Sequence, residues 1–312
     1  MIHAYALEPR LVASWGRREE FRFIHDKFGL GTPRAMLELP AFSKWKREVY
    51  AAALEQGLSQ EDLKRVEELF RLLQEHKCRR AGAVYDGLLS WLENAEREYD
   101  RKPFAAILAL ENPRGHRGVL VGSQLGPGEP RWLRDTGANP PRTPEALAVA
   151  LTEMLVNCRV LHFVDPHFGP ENARHRKVLE ALLGVLAKHD IVPQLVRVHC
   201  LEKSDLHFFE EEAKKMAARL PMSITVEFAR WKERDLGDKI HNRYVLTDLG
   251  GVSLGIGLDA GRENQSDDLL LLPKTVYVHR WAQFVDNNGA LEQVDAPAPV
   301  RGTRGVGRTS RG

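Results

Sequence analysis

Cysteine is scarce in this chain and follows no pattern: Cys78, Cys158 and Cys200 are three thiols in 312 residues, far apart and odd in number. That spacing excludes a disulfide-stapled fold and a cysteine-built metal module, and it fits a reducing cytoplasm. Long apolar runs are missing too. Met1-Ile2-His3-Ala4-Tyr5 has no basic stretch leading into an apolar core, so neither a bilayer span nor a secretory leader is expected. Net charge is low at +2, and residues 291–312 hold all of it, with Arg301, Arg304, Arg308 and Arg311 set against Glu292 and Asp295. What remains is the composition of a soluble globular protein, 43% hydrophobic and 28% charged, at a length that suggests about two domains.

Residues 1–142 read as a mainly helical α+β domain. Helical periodicity runs through 42–54, through a helix opened by Ser59-Gln60-Glu61-Asp62 with Leu63, Val66, Leu69, Phe70 and Leu73 on one face, and through 83–98. Residues 104–110 and 118–122 read as a strand pair with a turn at Asn112-Pro113-Arg114-Gly115 between them. The stretch from Pro127 to Arg142 is rich in chain breakers and reads as an interdomain linker. Residues 143–290 then alternate. A helix opened by Thr143-Pro144-Glu145 is followed by strands at 160–164, 194–199 and 224–228, with helices at 171–188 and 205–220 between them. This order predicts an α/β fold with a parallel or mixed sheet flanked by helices, in which function gathers at the carboxyl ends of strands. Residues 291–312 hold too little apolar content to fold and are expected to form a disordered basic tail able to touch nucleic-acid phosphates.

The stretch that speaks most directly of chemistry is Ile240-His241-Asn242-Arg243-Tyr244-Val245-Leu246-Thr247-Asp248. Alternation along a strand puts His241 and Arg243 on one face, with Tyr244 and Leu246 on the other. A neutral imidazole can attack phosphorus and carry a phosphohistidine intermediate, while the neighbouring guanidinium presents a planar fork to the non-bridging oxygens. Asp248 is expected to fold back onto the imidazole and fix its tautomer. A second position is Asp165-Pro166-His167, where a strand leaves the sheet. His167 is a candidate general acid, with Asp165 at the substrate. The structural alternative is an Asp that bonds its own turn and a His that is packed or solvated.

The first of these segments resembles the His-x-Lys-x4-Asp motif of the phospholipase D superfamily, with Arg243 at the usual Lys, over roughly residues 150–290. The resemblance implies a mixed sheet flanked by helices and phosphodiester hydrolysis without metal or cofactor. Where the family has a Gly-Ser-x-Asn-like stretch, this chain reads Gly255-Ile256-Gly257-Leu258, and Ser253 and Asn264 are expected to make polar contacts with substrate instead. Members build one active site from two motif copies. Here His175-Arg176-Lys177 has Leu182 at the seventh position after the His and reads as a solvated basic helix face, so one copy stands alone. That implies either a homodimer pairing two His241 side chains or a monomer in which His167 is the acid. Nucleic acid is the preferred phosphodiester, and the joining of a helical unit to such a domain resembles effectors of antiphage or mobile-element systems, with their partner proteins.

Ile240-His241-Asn242-Arg243, with Gly250-Gly251 and Gly257-Leu258-Asp259 after it, also resembles a second group. This is the non-catalytic phospholipase D-like module found C-terminal to microtubule-interacting and trafficking domains. It implies an adaptor that binds protein, nucleic acid or anionic lipid without hydrolysis, and in it the match at Asp248 is coincidental.

Overall fold

Short apolar runs buried on both faces build the first half of the chain. In the computed structural model, which describes residues 1–305 apart from Ala81, Leu236 and Asp238, two units divide the chain, Met1–Thr136 and Gly137–Gly312. The first holds a five-stranded sheet of β1 (His3–Leu7), β2 (Arg34–Leu37), β3 (Lys77–Cys78), β4 (Ala106–Ala109) and β5 (Val119–Val121), ordered β3-β2-β1-β4-β5. Every pairing in it is parallel. Helices α1 (Pro9–Ser14), α2 (Arg18–Ile24), α3 (Phe42–Glu55), α4 (Gln60–Glu75) and α5 (Trp91–Arg101) connect the strands. Ser59 caps α4 as its sequence predicts: its hydroxyl accepts the Asp62 N–H while the Asp62 carboxylate accepts the Ser59 N–H. This unit is therefore an open parallel α/β sheet. It is not the mainly helical domain with a strand pair that the sequence suggests. Residues 83–90 lie outside α5, and β4 and β5 run side by side in parallel.

The second unit is a mixed sheet. Its strands are β6 (Gly137–Ala138), β7 (Val160–Val164), β8 (Leu195–Leu201), β9 (Thr225–Glu233), β10 (Arg243–Thr247), β11 (Gly250–Leu254), β12 (Leu269–Leu271), β13 (Leu291–Gln293) and β14 (Ala298–Arg301). The order is β13-β9-β8-β7-β10-β11-β12-β6, with β14 also on β9. Strands β7, β8 and β9 are parallel to one another, whereas β10, β11, β12 and β6 are antiparallel to their neighbours. Helices α6 (Pro144–Leu155), α7 (Ala173–Lys188), α8 (Leu206–Lys215) and α9 (Lys274–Phe284) complete the unit, and α6 packs on α7. The predicted α/β class with helices and a mixed sheet is what the chain adopts. Among the described residues no helix is long and apolar enough to cross a membrane.

Two expectations about boundaries change. Residues 137–142 belong to the second unit: β6 pairs with β12, and the Arg142 N–H donates to the Gln265 carbonyl at 2.8 Å. Residues 291–301 are not an unfolded tail. Strands β13 and β14 pair with β9 and bury Leu291 and Val300, because the open edge of β9 offers backbone groups that local composition does not reveal. The part of that expectation that concerns Arg308 and Arg311 lies outside the described residues.

Candidate functional site

Strand direction decides which residues meet. Because β7 and β8 are parallel and β10 is antiparallel to β7, one edge of the second sheet collects the ends of β7 and β8, the start of β10 and the end of β11. Asp165 follows β7 there and is buried, 1% exposed. Its Oδ1 accepts the His167 N–H at 2.8 Å and its Oδ2 the Leu258 N–H at 2.9 Å. Arg243, the first residue of β10, brings Nε to 3.9 Å from Asp165 Oδ1 and donates from Nη1 to its neighbour's carbonyl, that of His241, at 2.9 Å. Its Nε is buried and makes no hydrogen bond among the described residues.

The loop after β11 fits closely against this carboxylate. The buried Asp267 accepts N–H groups of Ile256 and Gly257, at 3.0 and 3.4 Å. A Cβ on Gly257 would stand 3.2 Å from Asp165 Oδ2 and 3.0 Å from Asp259 Oδ1, so the backbone approaches as closely as glycine permits. Asp259 in turn is held by Arg142 and by Arg174 Nη2, the latter at 2.6 Å.

His167 points its Nδ1 at the Lys203 ammonium just beyond β8. Burial, then the charges of Lys203 and Arg243, lower the pKa of its ring, with Asp165 and Asp259 acting the other way. An ammonium can only donate, so Nδ1 is the acceptor and a neutral His167 carries its proton on Nε2. That makes His167 a neutral N–H donor near pH 7, and not the imidazolium that the expected general acid requires.

His241 precedes β10 and is exposed. It lines a shallow cleft of about 160 Å³ together with Lys239, Ile240, Asn242, Tyr244, Arg280 and Phe284. Among the described residues no hydrogen bond reaches its ring, and no contact joins it to His167.

Asp248 does not belong to this edge. It lies past the far end of β10, where its Oδ1 accepts the Arg159 and Val160 N–H groups at 2.8 and 3.3 Å and its Oδ2 accepts Arg159 Nε at 2.8 Å. Seven residues of extended chain span roughly 20 Å, so the expected contact with the His241 ring cannot form. Ser253 donates to the Leu270 carbonyl at 3.3 Å within the sheet, and Asn264 occupies an exposed turn at φ 63°. Neither touches Asp165, His167 or Arg243 among the described residues. His175 is buried, not solvated; its Nδ1 accepts the Gly169 N–H at 3.3 Å.

The structure thus brings together Asp165, His167 and Arg243 of the expected set, and adds Lys203, Asp259 and Arg174, which sequence reasoning missed. Asp259 stands in the Gly-Leu-Asp run that carried the second resemblance. Lys203 has no sequence signal of its own. Among the described residues no group of three His, Cys, Asp or Glu side chains is placed to hold a metal ion.

No family model matches the chain, and no curated protein does. Among solved structures, the chain has a likeness to the archaeal chromatin protein TrmBL2, whose structure shows a novel mode of DNA binding. Identity is 12%, the TM-score is 0.28, and the match covers 52% of this chain and 56% of that one, little more than half of either. A likeness at that level carries no inference about fold or function.

Proposed function

We propose that the second unit is a phospholipase D-like domain that binds a phosphodiester at the edge where β7 and β8 end and β10 begins. One observation carries this reading: at the ends of three neighbouring strands Arg243 faces the buried carboxylate of Asp165, the His167 N–H donates to that carboxylate, and Lys203 meets the His167 ring. Arg243 offers a fork to phosphate oxygens, Lys203 a point charge and His167 a neutral N–H. Two backbone amides hold Asp165 in place to orient Arg243, and Arg243 with Lys203 carries two positive charges against its one.

Nucleic acid suits this edge best. Lys239 and Arg280 line the cleft beside His241 and carry positive charge past Arg243, as a chain of phosphates needs. Phe208 near the start of α8 is half-exposed and offers a face on which a base can stack.

A second reading, hydrolysis through a phosphohistidine at His241, is favoured by the exposure of that ring two residues before Arg243. The proton donor would then come from a second copy of the chain.

Fluorescence anisotropy with labelled single-stranded DNA and RNA, in EDTA, tests both readings. Arg243→Gln and Lys203→Ala are each expected to weaken binding about tenfold, the worth of one charge-assisted contact, and to flatten the salt dependence by about 0.7 in log–log slope. Unchanged affinity in both variants would refute the site. Cleavage that His241→Ala removes while binding persists would establish the second reading.

A further inference from the structure

The first unit contains a concentration of positive charge that no direct ion pair neutralises among the described residues, although Glu129, itself paired with Arg131 at 3.0 Å, lies within the field of Arg134. His3 heads β1, Arg34 heads β2, and Arg134 follows β5 in the chain. Arg34 is 7% exposed. Its guanidinium lies 4.2 Å from the centroid of the Trp132 ring and donates from Nη2 to the Trp132 carbonyl, while its Nε is buried without a hydrogen-bond partner. Arg134 is half-buried and donates from Nε to the Tyr5 hydroxyl at 3.0 Å, and that hydroxyl donates onward to the Arg131 carbonyl at 2.5 Å. Among the described residues neither guanidinium has a carboxylate within ion-pairing distance. Asp26, whose field reaches Arg34, is paired with Lys27 at 3.1 Å.

We propose that Arg34 and Arg134 form a binding site for a tetrahedral oxyanion, a phosphate or a phosphoryl group, at the amino edge of the first sheet. A buried guanidinium without a counter-charge is costly, and a second one nearby raises the cost. An oxyanion between the two offsets both terms and gives the buried Nε its missing acceptor. The electrostatics agree. Burial first, and then the surrounding positive charge, Arg134 and Arg34 included, depress His3 to about 3, so it is a neutral ring that can donate one N–H. His3 and Arg134 are both partly exposed, which gives an anion a path from solvent. The site lies opposite the carboxyl edge where open α/β sheets usually hold nucleotides, so only the phosphoryl group needs to enter.

Isothermal titration calorimetry of the full chain with inorganic phosphate, in a buffer free of other oxyanions, tests the site. Arg134→Gln, at a half-buried position that tolerates substitution better than Arg34, should weaken phosphate binding at least about tenfold. Arg134→Lys should recover part of the loss. The double variant Lys203→Ala/Arg243→Gln removes the proposed phosphodiester site of the other unit, so retention of phosphate binding there assigns the signal to the first unit. Adenosine monophosphate binding more tightly than phosphate would point to a phosphorylated ligand and the reverse order to free phosphate; both support the site. Equal affinity in Arg134→Gln and the parent, or no phosphate binding in the parent, overturns it.

Discussion

Replacing Asp248 with alanine should lower stability and leave the site at the other end of β10 working. The carboxylate accepts two backbone N–H groups and the Arg159 Nε, at 2.8, 3.3 and 2.8 Å. Each bond from an amide to a charged acceptor contributes about 1.5–3 kcal/mol, and the 3.3 Å bond sits at the low end. The Arg159 ion pair adds under about 1 kcal/mol because its guanidinium side chain is 66% exposed. A loss of roughly 3–5 kcal/mol lowers the melting temperature of a domain of this size by about 6–20 °C. The site lies roughly 20 Å away along the strand, about two Debye lengths at 0.1 M salt. Oligonucleotide affinity should therefore change less than about twofold. Calorimetric melting and anisotropy on the same preparation check both halves. A variant that melts like the parent yet has lost binding or cleavage would return Asp248 to the site and refute the assignment made from its hydrogen bonds.

Acid should destabilise the second unit through two buried histidines. Burial depresses His162 to about 4 and lowers His199 well below its ordinary value of 6.5, and Trp231 Nε1 and His162 bond the two nitrogens of His199 at 3.1 and 2.9 Å. Both rings are neutral when folded, so from about pH 6.5 down to 4 the unfolded chain binds more protons. Stability is complete above that window and should fall as pH drops through it, by up to about 1.4 kcal/mol per pH unit for each ring; melting temperatures unchanged between pH 7 and 5 would contradict this. Deleting residues 291–312 strips β13 and β14 from β9, removes the buried Leu291 and Val300 and uncovers the apolar surface they pack on, a loss of about 3 kcal/mol or more from apolar burial alone. A truncated protein that melts and stays in solution like the parent would restore the view of this segment as a tail.

The second unit was largely legible in the sequence because its helices announce themselves. Thr143, Asn172 and Asp205 each accept an N–H of the first helical turn, and the strands between those helices are long enough to read. The first unit was not. β1, β2 and β4 are four or five residues long and almost wholly buried, so they show no alternation to separate a strand from a piece of buried helix. Their pairing also joins distant segments, with His3 against Arg34 and Tyr5 against Ala106. Strands β13 and β14 fail for a related reason, since they exist only because β9 has a free edge.

The site divides the same way. Spacing describes a line, and along that line Arg243 opens β10 at the edge where Asp165 lies, while His241 stands just outside the strand. The same line rules Asp248 out, because an extended strand moves steadily away from its start and cannot return a side chain across its own length. Neighbours contributed by other strands depend on the order β9-β8-β7-β10, which no local pattern encodes, so Lys203 beside His167 was invisible. At Asp165 the structural reading is visible in full. The carboxylate bonds its own turn at His167, as a structural Asp does, and also fixes Leu258 and faces Arg243. Stability and binding should accordingly fall together when Asp165 is changed and part company when Asp248 is.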